Sequence, residues 1–521
     1  MTKSIPILDL LFLLTETRES PKHVSTLLQF KRPENAGKNF VADLVAGYRR
    51  AKPIPPFNYL PDFSITRMPR WIEVDKIDMT YHVQHVVLPP RTTNASLLEA
   101  VAVIHGQMLE RGRPCFRVYV IDGLADGDFA IYLKIHHAIV DGHSAIARIS
   151  GSLDENPAAR AVRPFYTIKF DAGNETGKSI PGPARAQVLQ AMKKIALTQS
   201  VAFKDLYMGL IRKAMSRDSQ RSGAGSVPFT APRSLLNQAT HPGRSLATLT
   251  LPIGEMKSVG KAFGGTLNDV AVTVVDAGVT RYLKALGQAP KAPLVAMCPV
   301  SLREAGDKEA ATKASAAFVP LGMPAATIGQ RMDQVMKAAQ SAKAELRGMS
   351  KDAAMIYAIL ALGLSEAADA IGADAVARPL ANFVLSNVPG ARTDLYLRGA
   401  KMQSIYPISA LPGGIGLNVT LLSYATSMDF GFVGNASALP GLDKLARFTQ
   451  EAFAALAKEG AKRHQAVDPG SNKDADKPKK QRKPALRADA KKVKTTIGRK
   501  KPVAKKLTQE AKTTRSKSKR R

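Results

Sequence analysis

The chain has 521 residues, 45% of them hydrophobic, and carries 75 Lys or Arg against 43 Asp or Glu, a formal net charge of +32. That apolar content can bury a large core and excludes wholesale disorder. Cys115 and Cys298 are too few for a disulfide framework or a cysteine-based zinc site, and they read as reduced core thiols compatible with a cytosol.

The apolar stretch from Ile5 to Leu14 follows Lys3, but Asp9 interrupts it. Thr15-Glu16-Thr17-Arg18 stands where an export signal would carry small residues for cleavage, so export is not expected. Strand patterns follow at Val24 to Phe30, Tyr81 to Leu88, Cys115 to Ile121 and Phe129 to Ile135, with helical patterns at Leu97 to Arg111 and from Gly142 onward. Gly and Pro turn signals mark 170 to 185 and 217 to 229. Between them Val188, Leu189, Met192 and Ile195 recur at helical spacing, as in a connector helix. Beyond it the pattern predicts strands at Ser245 to Pro252, Leu294 to Pro299, Ala314 to Pro320, Phe383 to Asn387 and Gly416 to Ser423. Helices are predicted near Leu267 to Leu286, Thr327 to Gly348 and Pro440 to Lys458. The longest uncharged apolar run, Ala353 to Leu364, is shorter than the roughly 18 residues of a membrane span. It reads first as core, and second as the lining of a lipid entrance.

The resulting fold class is α/β with mixed sheets, in two halves. Residues 1–185 and 230–465 form the halves, 186–229 the connector and linker, and 466–521 a tail. The tail holds 21 Lys or Arg and 5 Asp or Glu and almost no branched apolar side chains, so it is expected to be disordered. Its charge suits an anionic membrane or lipid-droplet surface, nucleic acid, or polyphosphate, and the lack of Phe, Tyr and Trp removes base stacking. A merely solubilising tail is the remaining reading.

The sharpest motif is a strand pattern ending in His136-His137, followed by Ala138-Ile139-Val140-Asp141-Gly142 and a helix pattern. Adjacent strand residues face opposite sides, so one histidine faces a given cavity and the other supports it. A neutral imidazole near pKa ~6.5 accepts a proton from a hydroxyl at neutral pH, which suits acyl transfer to an alcohol. Asp141 can fix the loop and the imidazole, with Gly142 permitting a tight turn. A metal set of His136, His137, Asp141 and His143 is disfavoured by those opposed faces, so no metal is expected.

His136-His137 with Asp141-Gly142 resembles the HHxxxDG motif of the bacterial wax ester synthase/acyl-CoA:diacylglycerol acyltransferase family. Further segments resemble family blocks in order. These are Leu8-Asp9 with Glu16 and Pro21-Lys22-His23-Val24, then Trp71 to Asp75, and Tyr81-His82-Val83 with Leu88-Pro89. Asn268-Asp269-Val270 resembles the ND motif, Pro299 to Arg303 the PVSxR segment and Ser386 to Gly390 the SNVPG segment. Where the family usually carries Pro-Leu-Trp this chain has Pro114-Cys115-Phe116, a departure that bears on acceptor chain length.

The resemblance implies two chloramphenicol-acetyltransferase-like halves with an interface channel, and His137 as the base. An alcohol oxygen would then attack acyl-CoA directly, without an acyl-enzyme, and the chain lacks the G-x-S-x-G elbow of a serine nucleophile. Acyl-CoA is the co-substrate, diacylglycerol or a fatty alcohol the acceptor, and no further cofactor is expected. Asn268 and Asp269 are either active-site groups or a helix cap. Arg303 either pairs with Asp141 or lies at the surface, and Asn387 either faces an oxyanion or shapes a turn. The glycine-rich Leu411 to Leu417 lacks dinucleotide-loop spacing and reads as close backbone packing. The expected location is cytoplasmic, peripheral on the cell membrane or on lipid inclusions. Rival readings are a carrier-protein-dependent condensation enzyme, and a noncatalytic tether acting through the tail.

Overall fold

A computed structural model describes residues 2–63, 69–169, 228–301, 314–370, 372 and 378–467. The expected connector helix, Arg303 and residues 468–521 of the basic tail lie outside the described residues, while 466 and 467, expected as the start of the tail, belong to the last helix.

The first part of the chain runs β1 (Thr2–Ser4), α1 (Ile7–Thr15), β2 (His23–Lys31), α2 (Phe40–Arg50), β3 (Tyr59–Asp62), β4 (Arg70–Glu73), α3 (Met79–His82), β5 (Val83–Thr92), α4 (Asn94–Gly106), β6 (Phe116–Leu124), β7 (Phe129–His136) and α5 (Gly142–Ser152). The second part runs β8 (Arg244–Pro252), α6 (Ile253–Ala262), α7 (Leu267–Ala285), β9 (Val295–Ser301), β10 (Ala314–Pro320), α8 (Ile328–Arg347), α9 (Lys351–Ala370), β11 (Phe383–Val388), β12 (Tyr396–Leu397), β13 (Ala400–Ile408), β14 (Leu417–Tyr424), β15 (Ser427–Asn435) and α10 (Leu442–Val467). Two six-stranded mixed sheets result, in the orders β12-β13-β2-β7-β6-β5 and β10-β9-β11-β14-β15-β8, with a small β1-β4-β3 sheet beside them.

Most expected strands and helices appear where the periodicity places them; the last helix runs on past the expected Lys458 to Val467, and two other elements differ for local reasons. Asp78 accepts the N–H groups of Thr80 and Tyr81 and so starts a helical turn, which delays the strand expected from Tyr81 until Val83. The helix expected to reach Arg111 ends at Gly106. The Lys134 ammonium takes the carbonyls of Ile104 and Gln107 there, and a Cβ on Gly106 would stand 2.7 Å from the Pro242 oxygen.

The two sheets are not separated along the chain, because β12 and β13 of the second part join the first sheet. β13 pairs antiparallel with β2, Ile405 opposite Leu28. Asp429 of β15 holds it there, accepting the Ile405 N–H at 2.8 Å and the Thr250 hydroxyl at 2.7 Å. Gly431 is required at this crossing, since a Cβ would come within 1.7 Å of the Pro407 carbonyl oxygen.

Each sheet has its own apolar core. Phe30, Phe116, Phe129 and Ile131 fill the first with Tyr166, and Val270, Val274, Phe430 and Leu456 belong to the second. Truncating a residue buried as fully as Phe129 to alanine costs about 3–5 kcal/mol. The apolar run of α9 is core, with Ala361 and Leu364 buried against Phe318 and Val384. Its later acidic residues hold the glycine-rich loop: Glu366 accepts the Gly413 N–H and Asp369 the Gly414 N–H. A Cβ on Gly413 would sit 2.8 Å from that of Asp369, so close packing accounts for this glycine. Among the described residues no helix is long and apolar enough to cross a membrane.

Candidate active site

Strand β7 delivers both histidines. The His136 N–H donates to the Cys115 carbonyl on one side, and the next residue's N–H donates to the Lys22 carbonyl on the other, each at 2.9 Å. The chain then leaves the sheet through the turn His137–Ile139, and Asp141 caps α5 by accepting the Ser144 N–H at 2.7 Å. Gly142 is not needed for a left-handed turn, because its φ is not positive, which corrects the expectation of a tight turn. It is the first residue of α5, and a Cβ there would meet only Val388 Cγ2 of β11, at 3.9 Å. The β11 end of the second part thus lies beside the start of α5, at a distance that a Cβ on Gly142 would meet with ordinary contact.

The histidines have separate environments. His136 is 1% exposed. Its Nδ1 accepts the Ala138 N–H at 3.1 Å, which leaves the ring proton on Nε2, 3.4 Å from Glu16 Oε2. Burial pushes the Glu16 carboxyl up, but His136, the Lys22 N–H and Arg111 together pull it below its usual range. All the polar atoms of His136 thus face its supports.

His137 is partly buried, and its ring stacks on Phe12 of α1, with centroids 4.2 Å apart at 27°. Burial pulls its pKa below the ordinary 6.5. The Asp141 charge and its own backbone carbonyl push back upward, while His136 lowers it further. The imidazole is therefore neutral at neutral pH and has a carboxylate near enough to favour its protonated form. That combination accepts a proton and then stabilises the cation that forms.

From the second half, Asn387 and Asn268 approach each other, Asn387 Nδ2 donating to Asn268 Oδ1 at 3.5 Å. Asn387 lies in β11 and is exposed. It does not shape a turn, which corrects that alternative, because the parallel pairing with β14 continues through Val388. Neither member of the Asn268-Asp269 motif is the residue that caps α7: the cap is Thr266. Asp269 completes a reciprocal capping box, accepting the Thr266 N–H at 2.9 Å and its hydroxyl at 2.7 Å. Asn268 keeps its amide toward Asn387. Arg303 lies outside the described residues.

Cys115 and Phe116 support the site from behind. Phe116 stacks on His82 inside the first core, and the thiols of Cys115 and Cys298 are both pushed by burial to about 12, which makes them poor nucleophiles. Among the described residues no group of three or more His, Cys, Asp or Glu is placed to hold a metal ion.

Sequence reasoning gave Phe12, Glu16, Lys22 and Glu366 no task. Phe12 sat in a stretch weighed only as an export signal. Glu16 and Lys22 carried the family resemblance, but the contact of Lys22 with Glu366 spans 344 residues and has no local pattern.

The wax ester synthase/diacylglycerol acyltransferase catalytic domain matches residues 6–271, and the C-terminal domain of the same family matches residues 312–457. The chain is 33% identical over 471 residues to Mycobacterium tuberculosis Tgs4, a probable diacylglycerol O-acyltransferase, covering 88% of this chain and 97% of that one. It is 29% identical to the Acinetobacter baylyi O-acyltransferase WSD, over 85% of this chain and 94% of the other. Among solved structures, the wax ester synthase/diacylglycerol acyltransferase of Marinobacter aquaeolei VT8 superposes with a TM-score of 0.68 at 28% identity, covering 88% of this chain and 100% of that one. The starter condensation domain of rhizomide synthetase matches at 0.52 and 14% identity, over 88% and 95% of the two chains, a likeness of fold alone. The chain belongs to the wax ester synthase/diacylglycerol acyltransferase family.

Proposed function

We propose that this acyltransferase moves a fatty acyl group from acyl-CoA to the hydroxyl of diacylglycerol, and also to long-chain alcohols, with His137 as general base. The observation that carries the reading is the partly buried His137 ring, stacked on Phe12 and within the field of Asp141, with burial holding its pKa below the ordinary histidine value.

His137 takes the hydroxyl proton as the alcohol oxygen attacks the thioester carbonyl. The tetrahedral oxyanion collapses, the carbon–sulfur bond breaks, and the imidazolium returns its proton to the departing sulfur, giving an ester and free CoA. Asp141 stabilises the imidazolium through its charge. Asn268 and Asn387 are the candidate amide donors to the oxyanion from the second half. No acyl-enzyme is invoked, in keeping with two thiols whose pKa desolvation pushes up to about 12. Arg303 is proposed as a supporting residue of the same site.

The test is turnover of purified protein with acyl-CoA and diacylglycerol, followed by release of CoA and formation of triacylglycerol, with a panel of fatty alcohols as competing acceptors. His137→Ala should abolish both products, and a variant that retains them refutes the reading. Residues 466–521, with net charge +16, are proposed to hold the enzyme at an anionic lipid surface. Their deletion should abolish salt-sensitive sedimentation with phosphatidylserine vesicles and leave turnover in detergent intact.

A further inference from the structure

Lys22 stands just before β2 and is 3% exposed, yet all three of its polar groups are engaged, each with a different part of the molecule. Its N–H donates to Glu16 Oε1 at 3.0 Å, and the other oxygen of that carboxylate faces His136. Its carbonyl accepts the His137 N–H at 2.9 Å. Its ammonium donates to both carboxylate oxygens of Glu366 on α9, at 2.7 and 2.8 Å, and to the Ser20 hydroxyl at 2.6 Å. Glu366 is itself committed, since its Oε1 accepts the Gly413 N–H at 3.0 Å, and Ser20 in turn donates to the Leu411 carbonyl at 3.3 Å.

We propose that Lys22 is a positioning residue for the acyl-transfer base: its ammonium is clamped by Glu366 of α9, and its carbonyl fixes the backbone of His137. The inference rests on the reading of His137 as the base. A buried ion pair is weak evidence of stability, because desolvating two charges offsets most of their attraction. Two apolar residues of similar volume would hold the fold as well. They could not hold the Lys22 backbone in place through two charge-assisted hydrogen bonds to α9. The clamp also joins the catalytic turn to the glycine loop of the second half, so both halves contribute to the position of the base. The charged and titratable groups near the His137 ring are Asp141 and His136, and neither is altered by removing the clamp.

The experiment compares wild type, Glu366→Gln, and the double variant Lys22→Met/Glu366→Met, with His137→Ala as control. It measures CoA release from acyl-CoA and diacylglycerol across pH, together with thermal unfolding. Glu366→Gln keeps one oxygen but leaves the buried Lys22 ammonium without its countercharge, so it should unfold at a lower temperature than wild type and lose part of the kcat that the double variant loses. The double variant should unfold within a few degrees of wild type but lose about tenfold in kcat, as expected of a base displaced by a fraction of an ångström. Its acid limb should also move up toward the ordinary histidine value, because a loosened imidazole regains water. A smaller active fraction would lower the whole pH profile without moving its midpoint. Wild-type kcat and an unmoved acid limb in the double variant, with His137→Ala inactive, overturn the clamp and leave the base assignment standing. Turnover by His137→Ala within about tenfold of wild type overturns both.

Discussion

The starts of α5 and α7, one in each half, are built alike and do different things. Each has an acidic residue at its start, Asp141 as the cap of α5 and Asp269 within the first turn of α7, and each of those residues belongs to a family motif. Asp141 caps α5 by accepting the Ser144 N–H, and its charge also reaches His137. Asp269 sits three residues past the Thr266 cap and spends one oxygen on that residue's N–H and hydroxyl together. A motif carboxylate at a helix start is therefore chemical only where a titrating group stands within its field. In α7 the neighbouring Asn268, not the aspartate, presents its amide oxygen toward the other motif segment, at Asn387.

The largest effect should come from the residue that makes Asp141 different. His137→Ala should lower kcat by about 10³-fold, the order expected for removing a general base, with thermal unfolding little changed. Asp141→Asn comes next. Asparagine caps a helix nearly as well as aspartate, so α5 should stay folded, but the imidazolium loses its carboxylate and kcat should fall about tenfold or more. The sign of the pH effect is fixed by the geometry. Asp141 raises the His137 pKa against the lowering by burial, so its removal moves the acid limb of kcat to lower pH. An unmoved limb in the pH profile would make Asp141 a cap and nothing more, and the contrast with Asp269 would disappear.

Asp269→Ala gives the complementary measurement. It breaks a capping box and should cost about 1 kcal/mol of stability in denaturant unfolding, with kcat per folded molecule within about twofold of wild type. A loss as large as that of Asp141→Asn at equal folded fraction would show that Asp269 takes part in catalysis.

The comparison also explains what could be read from the sequence. The strand ending in His136-His137 was legible, since Phe129 to Leu133 is a continuous apolar and β-prone run and the following cap is local. Which histidine faces the reaction was legible only through alternation and family resemblance; the stacking of Phe12 and the engagement of His136 with Glu16 are tertiary. The strands β13 and β15 carried little signal. Pro407 lies inside one, and Gly431, Gly434 and a buried Asp429 inside the other, all residues that strand propensity counts against. Gly431 and Asp429 are there because two strands cross closely, and Gly434 because a Cβ would stand 2.7 Å from Leu442 of α10, demands that no local pattern records.

The smallest expected effect concerns that crossing and a third carboxylate, Asp429, which has neither a cap nor an imidazole to serve. Burial pushes its pKa to about 6, against the lowering by the Ile405 N–H and the Thr250 hydroxyl. The native state therefore binds this proton more tightly than the unfolded chain, whose aspartates titrate near ~3.9. Stability from this group is full below the unfolded value and is lost as pH rises through about 6, so between pH 5 and 7.5 it should decline by about 1 kcal/mol. Asp429→Asn keeps an oxygen for the Ile405 N–H and offers an amide to Thr250, whose hydroxyl can accept it. The variant should flatten this part of the pH–stability curve in urea unfolding and leave kcat unchanged, because Asp429 holds β13 and not the base. A curve as steep as that of wild type would mean that Asp429 is ionised in the folded protein and that the crossing is stabilised by charge.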